Sequence, residues 1–496
     1  MNWLDNIVSW ISPKAGAQRA AYRMVLEEQR QYDAGNARRL NAGWYVNNAS
    51  AEETDKFSRD VIRARARDLE RNSDIANSVI SAYKRNIIGA GINLRVKTGD
   101  PELDKTLKEL WNKWCRAKNF DVTEQQSFNQ MMRMAVERKK VDGGILLKKC
   151  YIKGGCVPFK IQALEVDELD QTGAGKPHGK GNKIVGGIEY NEYNRIVGYY
   201  IRQYSVDGWE LNEPYYVPAK DMIYLFSKRR PSQIREISDL TPTITRIRDA
   251  NEFMTAISVK ERIAACLAVF IKKMNPHSYG RVNENPKNLQ EYASKRLTPG
   301  MIQELNIGDE IQVVNPSGQS SDAAGMIKLH QRLVGSGQGL SYEATSRDMS
   351  QSNYSSARQG AIEDGLTYIE DKEQLIEVVF DEIYETFVIS AYLAGYITPH
   401  DFWENKEKYM NHEWVPAPKP WIDPQKEANA MKIAVTNGIK TFQQACTENG
   451  RDWKEQIEEM AEVLNYGREK GIDVGGIIYG RTEEELYTDG EGTETE

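Results

Sequence analysis

Five histidines and five cysteines are the residues to test first for chemistry. His178 and His277 fall in expected loops, His330 on an expected helix, and His400 and His412 beside prolines. None belongs to an HExxH or HxH pattern, and there is no Gly-x-Ser-x-Gly elbow. Cys115, Cys150, Cys156, Cys266 and Cys446 form no CxxC pair, so they read as reduced, buried thiols and not as a zinc or redox site. Carboxylate pairs such as Glu165 with Asp167, or Glu363 with Asp364, flank one another on a strand or helix surface without a separation that assigns acid and base roles. Gly89-Ala90-Gly91 lacks a third glycine and stands between helix and strand in the wrong order for a dinucleotide loop. Gly173 to Gly181 contains no GK[ST] and no helical pattern follows it. The expectation is a chain without catalytic centre, metal or cofactor.

A second kind of chemistry, contact with a polyanion, has better candidates. The stretch GSGQGLSYEATSRDMSQSNYSSARQG, Gly335 to Gly360, carries hydrogen-bonding side chains at Ser346, Ser350, Gln351, Ser352, Asn353 and Tyr354, with Arg347 and Arg358 as its only cations. Such groups contact phosphates without strong attraction, which suits a surface past which nucleic acid slides. An ordinary solvated loop has the same composition, and these residues alone favour that simpler reading. Lys228 to Lys273 holds ten Lys or Arg against five Asp or Glu, among them Lys228, Arg229, Arg230, Arg246, Arg248 and Lys260. That excess fits a polyanion-facing patch or solvated helix faces equally well.

The elements that must position these residues follow from periodicity and punctuation. FSRDVIRARARDLERNSDIANSVISAYKRNIIG has helical spacing of Ile62, Ala66, Leu69, Ile75, Val79 and Ile80, stopped by Gly89, with the arginines on the outer face. INLRV then reads as a strand. Asp100-Pro101 opens a packing helix, and Ser127 to Lys140 is another. From Gly144 to Phe226 the period falls to two, giving short strands and a hairpin about Asn191 to Asn194. Thr241 as N-cap and Pro242 at N1 start a helix to about Ile271, with Ile244, Ile247, Met254, Ile257 and Ile263 down one side. A compact excursion, Asn275 to Asn315, ends in the strand-like EIQVV. A returning helix runs from about Asp322, with Ala324, Ile327, His330 and Leu333 on one side, to Gly335. After the polar loop a long helix, about Ser356 to Ala394, has bends expected at Gly360 and Gly365. Beyond the Pro416 to Pro420 breaker come three short helices, opened by Asp423-Pro424, Thr441 with Gln444, and Asp452.

Composition agrees with a globular protein: 496 residues, 40% hydrophobic and 28% charged. The formal net charge of -7 is concentrated in Arg481 to Glu496, which has seven acids and one arginine. No run of about 18 apolar residues exists to span a membrane, and the opening MNWLDNIVSWISPKAG does not read as a signal peptide.

Several strings resemble the lambda-type family of tailed-phage portal proteins: ARDLERNSDIANSVISAYKRNIIGAGINLRV, KIQALEVDELD, GGIEYNEYNRIVGYYI, VPAKDMIYLFSKRRPSQIREIS, SYEATSRDMSQSNYSSARQG and PWIDPQKEA, in that order across roughly residues 60 to 440. The resemblance implies a mostly helical α+β portal fold assembled as a ring, usually of twelve subunits, at a capsid vertex. It implies a wing at 1–236, a first stem helix at 237–272, a clip at 273–318 and a second stem helix at 319–336. A tunnel loop and kinked wing helix would come next at 337–415, then a crown at 416–480 and an acidic, disordered tail at 481–496. The implied partners are further copies of the chain, double-stranded DNA without base specificity, the large terminase subunit, head-tail connector or adaptor proteins, and major capsid and scaffolding proteins. No membrane is involved. The place would be the virion, after assembly in the host cytoplasm. The polar loop would surround the passing duplex at the narrowest point of the channel, and the basic residues of 228–260 would be candidates for its lumen. At RRPSQIREIS, where relatives often have a glycine-containing turn, the chain departs from the family, so the resemblance does not fix that turn. The rival expectations are a metal-dependent nucleic-acid-processing enzyme, which needs carboxylates clustered in a pocket, and another ring component of the connector.

Overall fold

Side-chain caps start the helices where the sequence places them. The computed structural model describes residues 10, 12–15, 48–173, 175–205, 207–208, 212–265, 269–273, 309–313, 323–350, 353–418 and 423–472. The chain divides into two units, Met1–Phe57 and Ser58–Glu496. In the first, Ser50 caps the one-turn helix Ala51–Asp55. Nearly all described elements belong to the second.

That unit opens with α1 (Arg59–Asn72) and α2 (Asp74–Ile87), two helices where periodicity alone suggests one. Ser73 breaks the run with extended backbone while its hydroxyl accepts from the Ala76 N–H, which makes it the cap of α2. Strand β1 (Ile92–Val96) leads to α3 (Pro101–Trp114), capped by Asp100 with Pro101 at its first position, and to α4 (Phe128–Asp142), which has the Ser127 and Gln130 capping box. The rings of α3 organise the main core. Trp111 lies 5.1 to 5.8 Å from Trp114, Phe128, Tyr384, Phe387 and Trp414, so one side chain gathers residues some 300 positions apart.

The period-two region forms two antiparallel sheets. In one, β2 (Gly144–Cys150) lies between β3 (Lys160–Leu164) and β8 (Met222–Phe226). The other runs β4 (Lys183–Val185), β5 (Ile188–Tyr190), β6 (Ile196–Ile201), β7 (Tyr215–Pro218). Asn194 turns the β5–β6 hairpin at φ 59, and Asn191 Oδ1 accepts from the Tyr193 and Arg195 N–H groups.

After β8 the chain enters α5 (Ile244–Ala265), which begins three residues beyond the expected cap and ends before Val269–Lys273. That last stretch is strand β9, paired antiparallel with β10 (Asp309–Val313), so the expected helix gives its C-terminal turn to a strand pair. The rest of the expected clip, and the acidic tail, lie outside the described residues. Helix α6 (Ala323–Gly337) returns alongside α5, with Phe253 stacked against His330 at 6.5 Å. Next come a single helical turn, α7 (Tyr342–Ser346), and α8 (Tyr354–Leu375). The α-helix passes through Gly360 and Gly365 unbroken. The irregularity expected there is instead a π turn, Ile376–Phe380, leading into α9 (Asp381–Leu393). Strand β11 (His412–Pro416) pairs with β1, a partnership no local signal announces. The C-terminal helices α10 (Pro424–Thr436), α11 (Phe442–Glu448) and α12 (Trp453–Lys470) carry the expected Asp423, Thr441 and Asp452 caps. Arg95 of β1 reaches the Asp452 carboxylate and the Arg451 carbonyl, which fastens this helical group to the core.

Of the arginines of α1, Arg65 and Arg71 are exposed as expected, but Arg59 and Arg63 do not line an outer face. Arg59 is 5% and Arg63 2% exposed, because buried acceptors await them. Arg63 pairs with Glu236 at 2.8 Å and Asp167 at 3.1 Å, and Arg59 Nε donates to the Glu236 carbonyl at 3.1 Å. Glu236 and its neighbour Arg235 are wholly buried, 2.9 Å apart, and the Tyr224 hydroxyl donates to the same carboxylate. Arg235 also donates to the Gly186 carbonyl at 3.2 Å and the Val166 carbonyl at 2.9 Å. The turn on which the family resemblance is silent is thus the charged centre of the unit. Although burial opposes it, the adjacent guanidinium of Arg235 and that of Arg63 hold the Glu236 carboxyl below its ordinary range.

Glu236→Gln strips the buried Arg235 guanidinium of its counter-charge and takes one from Arg63, which keeps Asp167, and should cost about 3–5 kcal/mol. Tyr224→Phe removes one hydrogen bond and should cost about 1–2 kcal/mol. Urea unfolding measures both, and near-equal losses would contradict this arrangement. Glu168 behaves in the opposite sense. It is 7% exposed, its Oε2 meets no hydrogen-bond partner, and burial raises its pKa from 4.5 to about 7. The folded chain then keeps a proton that the unfolded chain releases near pH 4.5, so stability falls as pH rises through that interval. Glu168→Gln should therefore raise Tm at pH 8 relative to the parent and have little effect at pH 4.5, whereas equal shifts at both would contradict the raised pKa.

Candidate functional site

The stretch between α6 and α8 is a tethered turn and not the open loop its composition suggests. Gln338 Nε2 donates to the Asp239 carbonyl at 3.1 Å and to Thr243 Oγ1 at 3.0 Å, at the start of α5. Thr367 Oγ1 of α8 donates to the Gly339 carbonyl at 2.8 Å, and Asp364 takes the Ser341 N–H and hydroxyl at 2.6 and 2.7 Å. On a third side the Ser78 hydroxyl of α2 donates to the carbonyl of Thr345, which is buried.

Beyond these tethers α7 ends at Arg347, a left-handed residue at φ 58 that throws its side chain into solvent. Asp348 pins the residues after it. It accepts from the Tyr342 hydroxyl and the Ser350 N–H, both at 3.0 Å, and lies 3.7 Å from Lys328 of α6. The bonds from Ser350, joined by that of Tyr342, hold its pKa at about 2. Lys328 and Arg332, one turn apart on α6, also lie over the Tyr342 ring at 5.9 and 5.5 Å. This link from α6 to the turn was missed in the sequence. The available signal was that these two lysine and arginine side chains share one face of a helix without acids.

The expected loop residues therefore divide. Ser346 Oγ accepts from the Asp348 N–H at 3.1 Å, and Asn353 Oδ1 accepts from the Ser356 N–H at 2.8 Å as the cap of α8. Their polarity serves the local backbone. Arg347, Ser350 and Arg358 are exposed, as is Met349, which composition did not single out. Gln351 and Ser352 lie outside the described residues, as does the Tyr354 side chain. Among the described residues Arg347 forms no ion pair, since Asp348 is occupied elsewhere and Glu363 accepts from Gln359 at 2.9 Å. Burial, then the charge of Arg347, lowers the pKa of Arg85 on α2, so two cations share this face.

The basic residues separate likewise. Lys228, Arg229 and Arg230 lie in the turn after β8, ahead of α5, which begins at Ile244. Arg229 is paired with Asp239 at 2.8 Å. Arg246 and Arg248 are exposed on α5, the latter paired with Glu252 at 2.7 Å, and Lys260 is half-buried there.

Elsewhere, residues that suggested chemistry are packed. His178 stacks on Tyr216 at 3.7 Å, and His412 bridges Asp381 and the Met410 carbonyl. In the glycine-rich stretch the His178 and Gly179 N–H groups point at an anion, and that anion is the buried Glu189 carboxylate at 2.9 and 3.2 Å. The chain fills its own cradle. Among the described residues no three His, Cys, Asp or Glu are grouped to hold a metal ion, and none of the described helices is long and apolar enough to cross a membrane.

The family described as "Phage portal protein, lambda family" matches residues 37–370, from before α1 through α5, α6, the turn and most of α8. The chain belongs to the lambda family of phage portal proteins. It is 22% identical to the "Probable portal protein" of Halomonas phage phiHAP-1, over 89% of this chain and 88% of that one. It is 20% identical to "Portal protein B" of Escherichia phage lambda, over 82% and 84%. Among solved structures it is similar to the neck of a native gene transfer agent particle computed with C12 symmetry, at TM-score 0.45 and 12% identity, over 82% of this chain and 95% of that one. It is also similar to an HK97 family phage portal protein from Corynebacterium diphtheriae, at TM-score 0.37 and 10% identity, over 67% and 93%.

In this portal chain Asp348→Ala should free the turn without loosening the core. Trypsin should cut after Arg347 several-fold faster while Tm stays within about 2 °C of the parent, because Asp348 holds only local bonds. Unchanged cleavage would show that the tethers at Ser341 and Thr345 suffice.

Proposed function

We propose that this chain is a subunit of a homo-oligomeric ring, usually of twelve in its family, that forms the DNA channel at one capsid vertex. The observation that carries this is the unbroken family match from residue 37 to 370, which spans the stem pair and the turn. In this reading α5 and α6 are the stem, β9 and β10 the root of the clip, and α10 to α12 the crown. The turn from Arg347 to Asn353 faces the lumen.

Its tethers support a part that keeps its shape while a duplex moves past. Arg347 offers one positive charge per subunit, enough to attract phosphate and too little to hold it, since each neutralised phosphate adds only one counterion released. With no helix offered to a groove, contact is independent of base sequence. The channel is non-enzymatic, and a separate terminase supplies the energy. The clip would dock the large terminase subunit and later a head-tail connector, and the wing would meet major capsid and scaffolding proteins.

The test is electron microscopy of the purified chain, which should show rings with a central hole. Compact monomers at every concentration and salt would overturn the proposal. Removing Met349 to Ser352, which spares buried Thr345 and the Tyr342 bond to Asp348 while taking away Ser350, should leave rings intact and impair DNA packaging or retention. Normal packaging by that variant would remove the turn from the channel wall.

A further inference from the structure

Two apolar stripes are left uncovered by any described residue of the unit. On α8, Ile362, Leu366 and Ile369 are 51%, 60% and 42% exposed, while Asp364, Tyr368 and Leu375 of the same helix are buried. On α6, Met326, Leu329 and Leu333 are 44%, 49% and 38% exposed, while Val334 is buried. Spacings of three and four residues put each triplet on one helix face, and each runs for about 10 Å, two turns. Isolated exposed apolar residues need no explanation, but two aligned triplets do.

Their charged borders differ in sign. Helix α6 contains Lys328 and Arg332 and no Asp or Glu. Helix α8 exposes Glu363, Glu370 and Glu373 beside its stripe, whereas its other acids face inward, Asp364 to Ser341 and Asp371 to Lys139 and Lys140 at 2.6 Å. A contact of the α8 stripe with itself would oppose glutamates to glutamates. A contact of the α8 stripe of one copy with the α6 stripe of the next matches apolar face to apolar face and acid to base.

We infer that the α8 stripe, Ile362, Leu366 and Ile369, packs on the α6 stripe, Met326, Leu329 and Leu333, of a neighbouring copy of this chain. The contact is heterologous, the class that closes into rings. The inference rests on the proposed ring and names the surfaces that ring would use.

A heterologous contact has a signature that an isologous one lacks. Leu366→Arg spoils the α8 stripe and leaves α6 intact, and Leu329→Arg does the reverse. Each variant alone should lose rings and run as a monomer in size exclusion with light scattering. Mixed in equal amounts, the two should form heterodimers through the one intact pair of stripes and go no further. Both side chains are exposed, so Tm should match the parent. If Leu366→Arg lowers it, Ile362→Arg takes its place. Rings formed by either variant at the parent level overturn this assignment, as does a mixture that yields no heterodimer. Dimers of Leu329→Arg alone would show α8 packed on α8 and overturn it too. A parent that never forms rings overturns the ring reading itself, an outcome distinct from all of these.

Discussion

A carboxylate can be buried only where enough donors converge on it, and Glu236 sets that requirement for this chain. It takes Arg235 from its own turn, Arg63 from α1 and Tyr224 from β8, while Arg235 reaches on to two carbonyls between the sheets. Withdrawing the carboxylate would leave the Arg235 charge stranded in a medium that cannot hydrate it. Helix, sheet and the segment leading into α5 are therefore fixed together. A second group continues the line: Lys139 and Lys140 of α4 share Asp371 of α8 and Asp239 just before α5. Lys140 also lies over the Tyr83 ring at 3.7 Å, and the Tyr83 hydroxyl donates to the Gln338 carbonyl. The core, the residues leading into α5, the turn and α8 are one electrostatic system.

How much of this could be read in the sequence depends on the distance between partners. Caps involve neighbours three residues apart, and Asp100, Ser127, Asp423, Thr441 and Asp452 all cap helices where the residue types say so. Polarity misled for Arg59 and Arg63, because an arginine is assigned to water unless its buried partner is known, and that partner lies some 170 residues on. The β1–β11 pair spans more than 300 positions and has no local signature. Val269–Lys273 continues a helical pattern closely enough to be taken for its last turn, and only pairing with β10 makes it a strand.

At the candidate site the composition gave the exposure of Arg347 and Arg358 and hid the order. Serine and asparagine in a long linker read as solvated, yet Ser341, Ser346 and Asn353 each satisfy a backbone N–H. The same residue types serve a floppy loop and a tightly capped turn. What separates them is the presence of Asp348 and Asp364 at the right offsets, one closing the tip and the other holding the base. Ile362 and Ile369 are exposed although apolar, and the inward face of α8 is marked by Asp364, Tyr368 and Asp371, two of them acids.

The π turn at Ile376–Phe380 has a mechanical consequence. Helix α8 is a straight lever of 22 residues, about 33 Å, with the tethered turn at its free end. Bends in helices concentrate where the ladder is irregular, and here that place is beside Val379 and Phe380, deep among the aromatic rings. Glycines nearer the tip do not interrupt the rod. A sideways force at the turn would therefore be carried along a continuous helix to an irregular turn among buried aromatic rings, where a bend is easiest.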